Sequence, residues 1–535
     1  MSASAVAGPA PTATLPLEDW RPPVNPWIIA IVVTLATFME VLDTAIANVA
    51  LPHIAGNLSA SVDESTWMLT SYLVANAIVL PLSAWFSMLF GRKRFYMTCV
   101  ALFTASSAMC GLAPNLETLV FFRVLQGIGG GGLQPSEQAI LVDTFPRQKR
   151  AMAMAAYGIA VVVAPILGPT LGGWITDNYS WRWIFFINVP VGILSLLLTW
   201  ELVSDPPFLK RKTLRDGLRI DYVGFGFIAL GLGFLQVVLD KGQREDWFES
   251  RFIIVCAILT VLGLVAAVFW ELRHNDPMVD LRLLKDRHFA TATMLMFMLG
   301  FVLYGSTMLL PVFTQTMLGY TATWSGLALS PGGIATMLML PIVGTLASRF
   351  QARWLVTIGL LVVGTSLLRM ANFNTQIDFR TAMFARIHQA IGLSFMFLPI
   401  NTAVYAFVPR DKNNNASGLV NLARNIGGSV GIAFVTTMLA RRAQFHQSVL
   451  SAHTTPYDGA FQNAFQKASE MLSTAHASAA EVTEHAYALI YGLLGREANM
   501  LAFVDCFWLL GVMFFAMSPL VFLLKKNVPG KGPGH

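Results

Sequence analysis

Arg123 lies near the middle of Leu116–Gln138, an apolar stretch with the length of one membrane-spanning helix. A guanidinium there is expensive to insert and marks a functional position whose partner must be found. The same stretch carries Glu117, Gln126, Gln134, Glu137, Gln138 and five glycines. At about 100° per residue, Arg123, Gln126, Gly127, Gly130, Gln134 and Glu137 gather on one helical face. That face must look at protein or a watery cavity, and its glycines let another backbone approach.

Glu40 and Asp43 stand three residues apart in the first apolar stretch, on one face of its helix. Counting about 1.5 Å per residue from Trp27 puts Glu40 about 20 Å and Asp43 about 24 Å up. The fourth stretch runs the other way, which puts Arg123 about 20 Å up in a core about 30 Å thick. Two carboxylates and one arginine therefore share a level. Either they form a static buried pair, or the spare carboxylate takes and releases a proton. Glu137 lies about 21 Å from Arg123 along the same helix and cannot be its partner. It is either a second proton or cation site or an interfacial carboxylate that stays wet.

Other chemistries find no support. Gly127–Gly132 matches G-x-G-x-x-G, but no strand precedes it and the surroundings are an apolar helix, so a dinucleotide site is rejected. No P-loop, zincin or nucleophile-elbow pattern occurs, so no catalytic residues are assigned. His446, His453, His476 and His485 are spread along 40 residues and do not suggest a metal site. Cys99, Cys110, Cys256 and Cys506 fall within apolar stretches and read as packing residues.

The elements that must position these residues are membrane helices. The chain is 55% apolar and 12% charged, with a mean hydropathy of +0.59, about half the charge of a soluble protein. Its net charge of +6 reflects loop charges that orient spans in the lipid bilayer, not nucleic-acid binding. An all-α integral membrane protein with 14 transmembrane helices is expected. The spans fall near 27–50, 66–88, 95–113, 116–138, 152–176, 183–203, 222–240, 252–271, 290–315, 324–347, 354–371, 382–408, 417–440 and 499–524. With the N-terminus in the cytoplasm, 23 Lys and Arg fall on the cytoplasmic side and nine outside, so both termini are expected inside. Four more, Arg123, Arg369, Arg386 and Arg424, are counted within spans.

Three stretches stand apart. Residues 1–26 are polar and proline-rich, lack signal-peptide features and read as a disordered tail. Asp205–Asp221 is a basic cytoplasmic linker holding Lys210, Arg211, Lys212, Arg215 and Arg219. Arg441–Asn499 is a long external loop whose composition favours helices, and it is either functional or a tolerated insertion. In the fifth span, Pro165, Gly168, Pro169, Gly172 and Gly173 predict a bent, tightly packed helix.

Several of these motifs resemble one family. Leu119-x-x-x-Arg123-x-x-Gln126-Gly127 is similar to the fourth-span motif of the major facilitator superfamily. Gly158 with Gly168-Pro169-x-x-Gly172-Gly173 resembles its antiporter motif. Leu42-Asp43-Thr44-x-Ile46-x-Asn48-Val49-Ala50-Leu51-Pro52 resembles the first span of the fourteen-span drug:proton antiporters. Trp181–Pro190 and Gly319–Leu327 fit the same branch, and the long loop resembles EmrB-type pumps of Gram-negative tripartite exporters. One motif departs: the loop after the second span keeps Gly91, Arg92 and Lys93, but Met88 stands where an acid is expected.

The resemblance implies a major facilitator fold. Residues 27–204 and 272–524 would form two six-helix bundles, and 222–271 two extra spans outside the transport core. A loop at 441–498 would face the periplasm, and 525–535 would be a cytoplasmic tail. It further implies a proton-driven multidrug exporter in the bacterial inner membrane, with no cofactor beyond the proton gradient. The partners would be hydrophobic drugs, a periplasmic adaptor and an outer-membrane channel. Asp43 and Arg123 would couple protons, joined on physical grounds alone by Glu40 and Glu137. Gly91, Arg92, Gly127, Gly158, Pro165, Gly168, Pro169, Gly172 and Gly173 would serve packing and conformational change. Gln134, Asn401 and Tyr405 are candidate substrate contacts, as polar groups within spans. An uptake symporter, or a scaffold or sensor acting through the long loop, are the alternatives.

Overall fold

The computed structural model describes residues 22–525, apart from 147–148, 207–220, 275–276, 407, 410–411, 453 and 474–477. Most of the expected N-terminal tail, the five basic linker residues and the C-terminal tail beyond Lys525 lie outside the described residues.

The described chain is helical throughout. The N-terminal half comprises α1 (Pro26–Asn57), α2 (Val62–Ser65), α3 (Trp67–Phe90), α4 (Arg92–Leu112), α5 (Leu116–Thr144), α6 (Arg150–Asn178), α7 (Trp183–Phe186) and α8 (Asn188–Leu202). Next come α9 (Tyr222–Lys241) and α10 (Arg251–Arg273). The C-terminal half comprises α11 (Arg287–Thr316), α12 (Ala322–Ala347), α13 (Ala352–Met370), α14 (Phe379–Val404), α15 (Asn413–Ala452), α16 (Gly459–Ser473) and α17 (Ala479–Val521). Short polar side chains start many of these helices. Asn25, Asn115, Asp221, Asp286, Thr321, Asp378 and Ser478 each accept a hydrogen bond from a first-turn backbone N–H.

Among the described residues, twelve helices are long and apolar enough to cross a membrane. A thirteenth is α6, if its segments Arg150–Pro165 and Thr170–Asn178 count as one span; they meet at 47°. The bend expected in the fifth span is therefore present, with Pro165 closing its first segment. The side chain of Pro169 lies outside the described residues. α5 is 29 residues long and buries Arg123, Gln126, Gln134, Glu137 and Gln138 along its length. With α5 included, the architecture is compatible with fourteen spans.

The two halves repeat one packing scheme. α1 packs on α6, and α5 on α3 and α4; α11 packs on α15, and α14 on α12 and α13. α6 against α12 and α14, and α15 against α3 and α5, join the halves. α9 lies against α3 and α15, and α10 covers α9. Gly231 and Gly263 let the backbones of α9 and α10 approach, since a Cβ on Gly231 would stand 2.7 Å from the Leu264 nitrogen. Asp240 accepts a hydrogen bond from Thr70, and Gln236 accepts one from Ser429 at 3.0 Å. α9 therefore straps α3 to α15.

The expected external loop is largely the continuation of two spanning helices. α15 runs 40 residues and α17 runs 43, both longer than a bilayer requires, and α16 packs against α17. Helix propensity does not stop at the membrane surface, so the helix runs on past the apolar boundary near 440, in keeping with the helix-favouring composition of the loop. Phe461 and Phe465 stack at 6.1 Å, and Tyr487 of α17 lies 5.0 Å from the Phe465 ring. Arg442 and His446 of α15 both reach Asp505 of α17, at 2.5 and 2.7 Å. Arg369, expected within a span, is exposed in the last turn of α13.

The glycines of α6 divide. A Cβ on Gly168 would collide with the Ala45 side chain, and one on Gly172 would stand 3.0 Å from Ile46. A Cβ on Gly173 would meet nothing within 4 Å, so the expectation of a packing role there is corrected. Gly168→Val is therefore expected to destabilise the protein by about 1–3 kcal/mol through overpacking. Gly173→Val should change the melting temperature of the detergent-solubilised protein little. Equal melting of the two variants would contradict this α1–α6 contact.

Candidate functional site: buried charges within and between the halves

Asp43 and Arg123 meet in the N-terminal half. Arg123 Nη1 lies 2.6 Å from Asp43 Oδ2, and both side chains are almost completely buried. The other carboxylate oxygen accepts from Gln126 at 3.1 Å and from Asn188 at 2.7 Å. Arg123 also donates to the Met68 carbonyl at 3.1 Å and to Gln126 at 2.8 Å. Its guanidinium carbon lies 4.4 Å from the centre of the Tyr72 ring. A Cβ on Gly127 would collide with the Tyr72 carbonyl, so this glycine lets α5 lie close enough to α3 for those contacts. Protonating Asp43 would leave a buried arginine without its counter-ion, so proton uptake here demands rearrangement.

Glu40 does not share that arginine, which corrects the expectation of two acids facing one base. Its Oε1 accepts from Tyr72 at 3.0 Å and Asn76 at 3.4 Å, and its Oε2 accepts from Gln134 at 2.6 Å. Gln134 Oε1 in turn accepts from Arg424 of α15, and the Tyr157 hydroxyl lies 3.3 Å from it. One amide orientation serves both neighbours, with NH2 toward the carboxylate and oxygen toward the guanidinium. Glu40 and Arg424 are thus linked across the two halves through Gln134. The sequence places Arg424 within a span but shows no partner for it; Gln134 and Tyr157 lie 290 and 267 residues away.

The network continues toward the end of the bundle where the described chain begins and finishes. Arg424 donates to Tyr157 at 2.7 Å, and Tyr157 donates to Asn421 at 3.1 Å. Gln138 Oε1 accepts from Asn421 at 2.8 Å, Tyr405 at 2.9 Å and Ser417 at 3.0 Å. The Tyr157 ring stacks on Phe397 at 5.9 Å, and Phe397 lies 3.1 Å from where a Cβ on Gly158 would sit. Gln134 and Tyr405, expected as substrate contacts, are held in this seam in the conformation described. Asn401 is buried and donates to the Phe397 carbonyl at 3.0 Å. Sequence reasoning missed Tyr157, Gln138 and Asn421. The i, i+4 pair Gln134 and Gln138 and the i, i+3 pair Asn421 and Arg424 were the available signals.

The Met88 departure has a structural answer. Arg92 pairs with Asp143 at the end of α5 and donates to the Ala139 carbonyl at 3.2 Å. Asp143 also accepts from Asn413 of the other half at 3.0 Å. The Lys93 backbone N–H donates to Asp205 at 2.8 Å. Gly91 supports the turn with a φ of 86°. A carboxylate does latch this loop, but from α5. Glu137 is fully buried and accepts from Thr34 at 2.6 Å, so the reading of a wet interfacial carboxylate is corrected.

The model of the Major Facilitator Superfamily matches residues 33–432. The chain belongs to that superfamily. Among curated members, it is 38% identical over 494 residues to the multidrug export protein EmrB of Haemophilus influenzae, covering 92% of this chain and 96% of that one. It is 37% identical over 503 residues to the fatty acid resistance protein FarB of Neisseria gonorrhoeae, covering 94% and 96%. It is 34% identical over 508 residues to EmrB of Escherichia coli K12, covering 95% and 97%. Among solved structures, a double-tryptophan mutant of XylE aligns with a TM-score of 0.60 at 14% identity, over 95% of this chain and 97% of that one. The human organic anion transporter MFSD10 aligns at 0.59 and 14%, over 94% and 100%. Both support the major facilitator fold. Superfamily members are transporters, and this one is a multi-pass membrane protein.

Proposed function

We propose that this protein is a proton-driven exporter of hydrophobic and amphipathic toxic compounds in a bacterial inner membrane, with both termini in the cytoplasm. The observation that carries the reading is the pair of buried carboxylates, Asp43 and Glu40, each bound into an arginine network, one within a half and one across the seam. Proton uptake at such groups changes what the seam can hold, and alternating access requires that kind of switch. The names of the relatives support drug export. With cytoplasmic termini, the latched end of the bundle closes the cytoplasmic side. Substrate groups then meet the halves from outside in this conformation, and Gln134 and Tyr405 become available when the latch opens. Glu137 is a second candidate proton site.

The extended α15–α17 arm supports a docking role toward a periplasmic adaptor, and through it an outer-membrane channel. Tyr457, Met471, Tyr491 and Leu493 are exposed on it, apolar surface of the kind that a partner helix covers. The test uses energised everted vesicles, in which an amphipathic drug should release protons in a protein-dependent way. Replacing Thr455–Glu484 with a short Gly/Ser linker should leave that exchange intact while destroying cellular resistance and adaptor co-purification. Proton exchange lost with the linker, or an adaptor still captured, would refute the division of labour. No exchange in the wild type would refute export itself.

A further inference from the structure

The C-terminal half contains a second arginine site, built like the first but without its acid. Arg386 lies seven residues past the first residue of α14, as Arg123 does in α5. Gln389 follows it by three residues, as Gln126 follows Arg123. Asp378 caps α14 by accepting from Thr381, as Asn115 caps α5 by accepting from Thr118. Arg386 packs between α11 and α12, as Arg123 packs between α1 and α3. The difference lies on the opposing helix. Nine residues before Pro52 stands Asp43; nine before Pro311 stands Val302.

The result is a fully buried cation with which no carboxylate pairs among the described residues. Arg386 Nη1 donates to Gln389 Oε1 at 2.6 Å, and Nη2 donates to Thr307 at 3.2 Å. Two further donors in the cluster, Arg386 Nε and Gln389 Nε2, are buried and have no acceptor among the described residues. Gly332 lets α12 close over the arginine, since a Cβ there would stand 2.8 Å from Arg386 Cγ. Thr307 alone of the three is half-buried, so the cluster meets accessible space at the threonine. A buried charge with surplus donors is unfavourable until an anion supplies the acceptors. A planar guanidinium beside a carboxamide matches a carboxylate in shape.

We propose that Arg386, Gln389 and Thr307 form an anion-recognition subsite that takes the carboxylate of an amphipathic substrate. This rests on the export reading for the word substrate, but not for binding itself. The test uses the full-length protein in detergent and two probes of equal chain length, decanoate and decyltrimethylammonium. Wild-type protein should bind both. Arg386→Gln should weaken decanoate by about ten- to a hundredfold and leave the cation within about threefold. Gln389→Leu removes one donor and keeps the arginine, and should weaken decanoate selectively by about tenfold even if Arg386→Gln folds poorly. Arg386→Lys should rescue part of the affinity. Equal loss of both probes, or unchanged decanoate affinity in Arg386→Gln, overturns the proposal. A chloride-dependent rise in melting temperature that Arg386→Gln abolishes, with decanoate affinity unchanged, would assign the site to an inorganic anion instead. Proton exchange driven by amphiphiles while decanoate ignores Arg386 sinks the subsite alone. Decanoate binding through Arg386 without any proton exchange sinks the export reading alone.

Discussion

Asp43→Asn and Arg123→Ala are each expected to abolish drug-driven proton release in everted vesicles, with inserted protein still detectable. Asp43 accepts three hydrogen bonds, from Arg123, Gln126 and Asn188, and the pair is buried. Asparagine keeps the shape but removes the charge and the protonation step. Alanine at 123 strands Asp43 among two amides with no cation nearby. Removing one partner of a buried pair costs about 3–5 kcal/mol. If that energy biases the two conformations, their ratio moves by about two to four orders of magnitude. Arg123→Lys should also fail, because an ammonium cannot keep the Met68, Gln126 and Asp43 contacts together. Wild-type proton release in either Asp43→Asn or Arg123→Ala would remove this pair from the coupling mechanism.

The second large effect concerns the link across the seam. Arg424→Gln should leave Glu40 and Gln134 without their cation and destabilise the latched conformation by about 3 kcal/mol. Glu40→Gln should do comparable damage from the other side. The double variant should melt higher than the sum of the two losses predicts, because neither charge is then stranded. It should still fail to exchange protons, since nothing titratable remains at that point. Additive losses in the double variant would mean that Glu40 and Arg424 do not sense each other through Gln134.

How much of this was legible in advance depended on the range of the interaction. The rise of a helix is fixed, so counting along α1 and α5 placed Asp43 and Arg123 at one level, and they meet. The same counting put Glu40 beside Arg123, because it measures height and says nothing of which neighbour stands around the axis. The neighbour that Glu40 reaches through Gln134 comes from the other half, and only the tertiary arrangement brings α15 there. Glu137 was ambiguous for a related reason: depth along one helix cannot say whether α1 covers it, as Thr34 does. In α6 the pattern of Pro and Gly predicted a bend, but could not tell Gly168 and Gly172, which face α1, from Gly173, which does not. The latch on Arg92 was hidden because its acid, Asp143, belongs to another helix than the motif leads one to search.

The length of α15 has a mechanical consequence. Arg424, at the seam, and Ala452, at the far end, belong to one uninterrupted helix. They are separated by about 42 Å of rise. If the latch releases and α15 tilts by about 10°, its tip sweeps about 7 Å, while atoms beside Arg424 barely move. The pair formed by Arg442 and Asp505 braces the arm to α17, so the two helices swing as one lever. Anything gripping the tip would feel each turnover as a stroke, and anything clamping the tip would load the pivot.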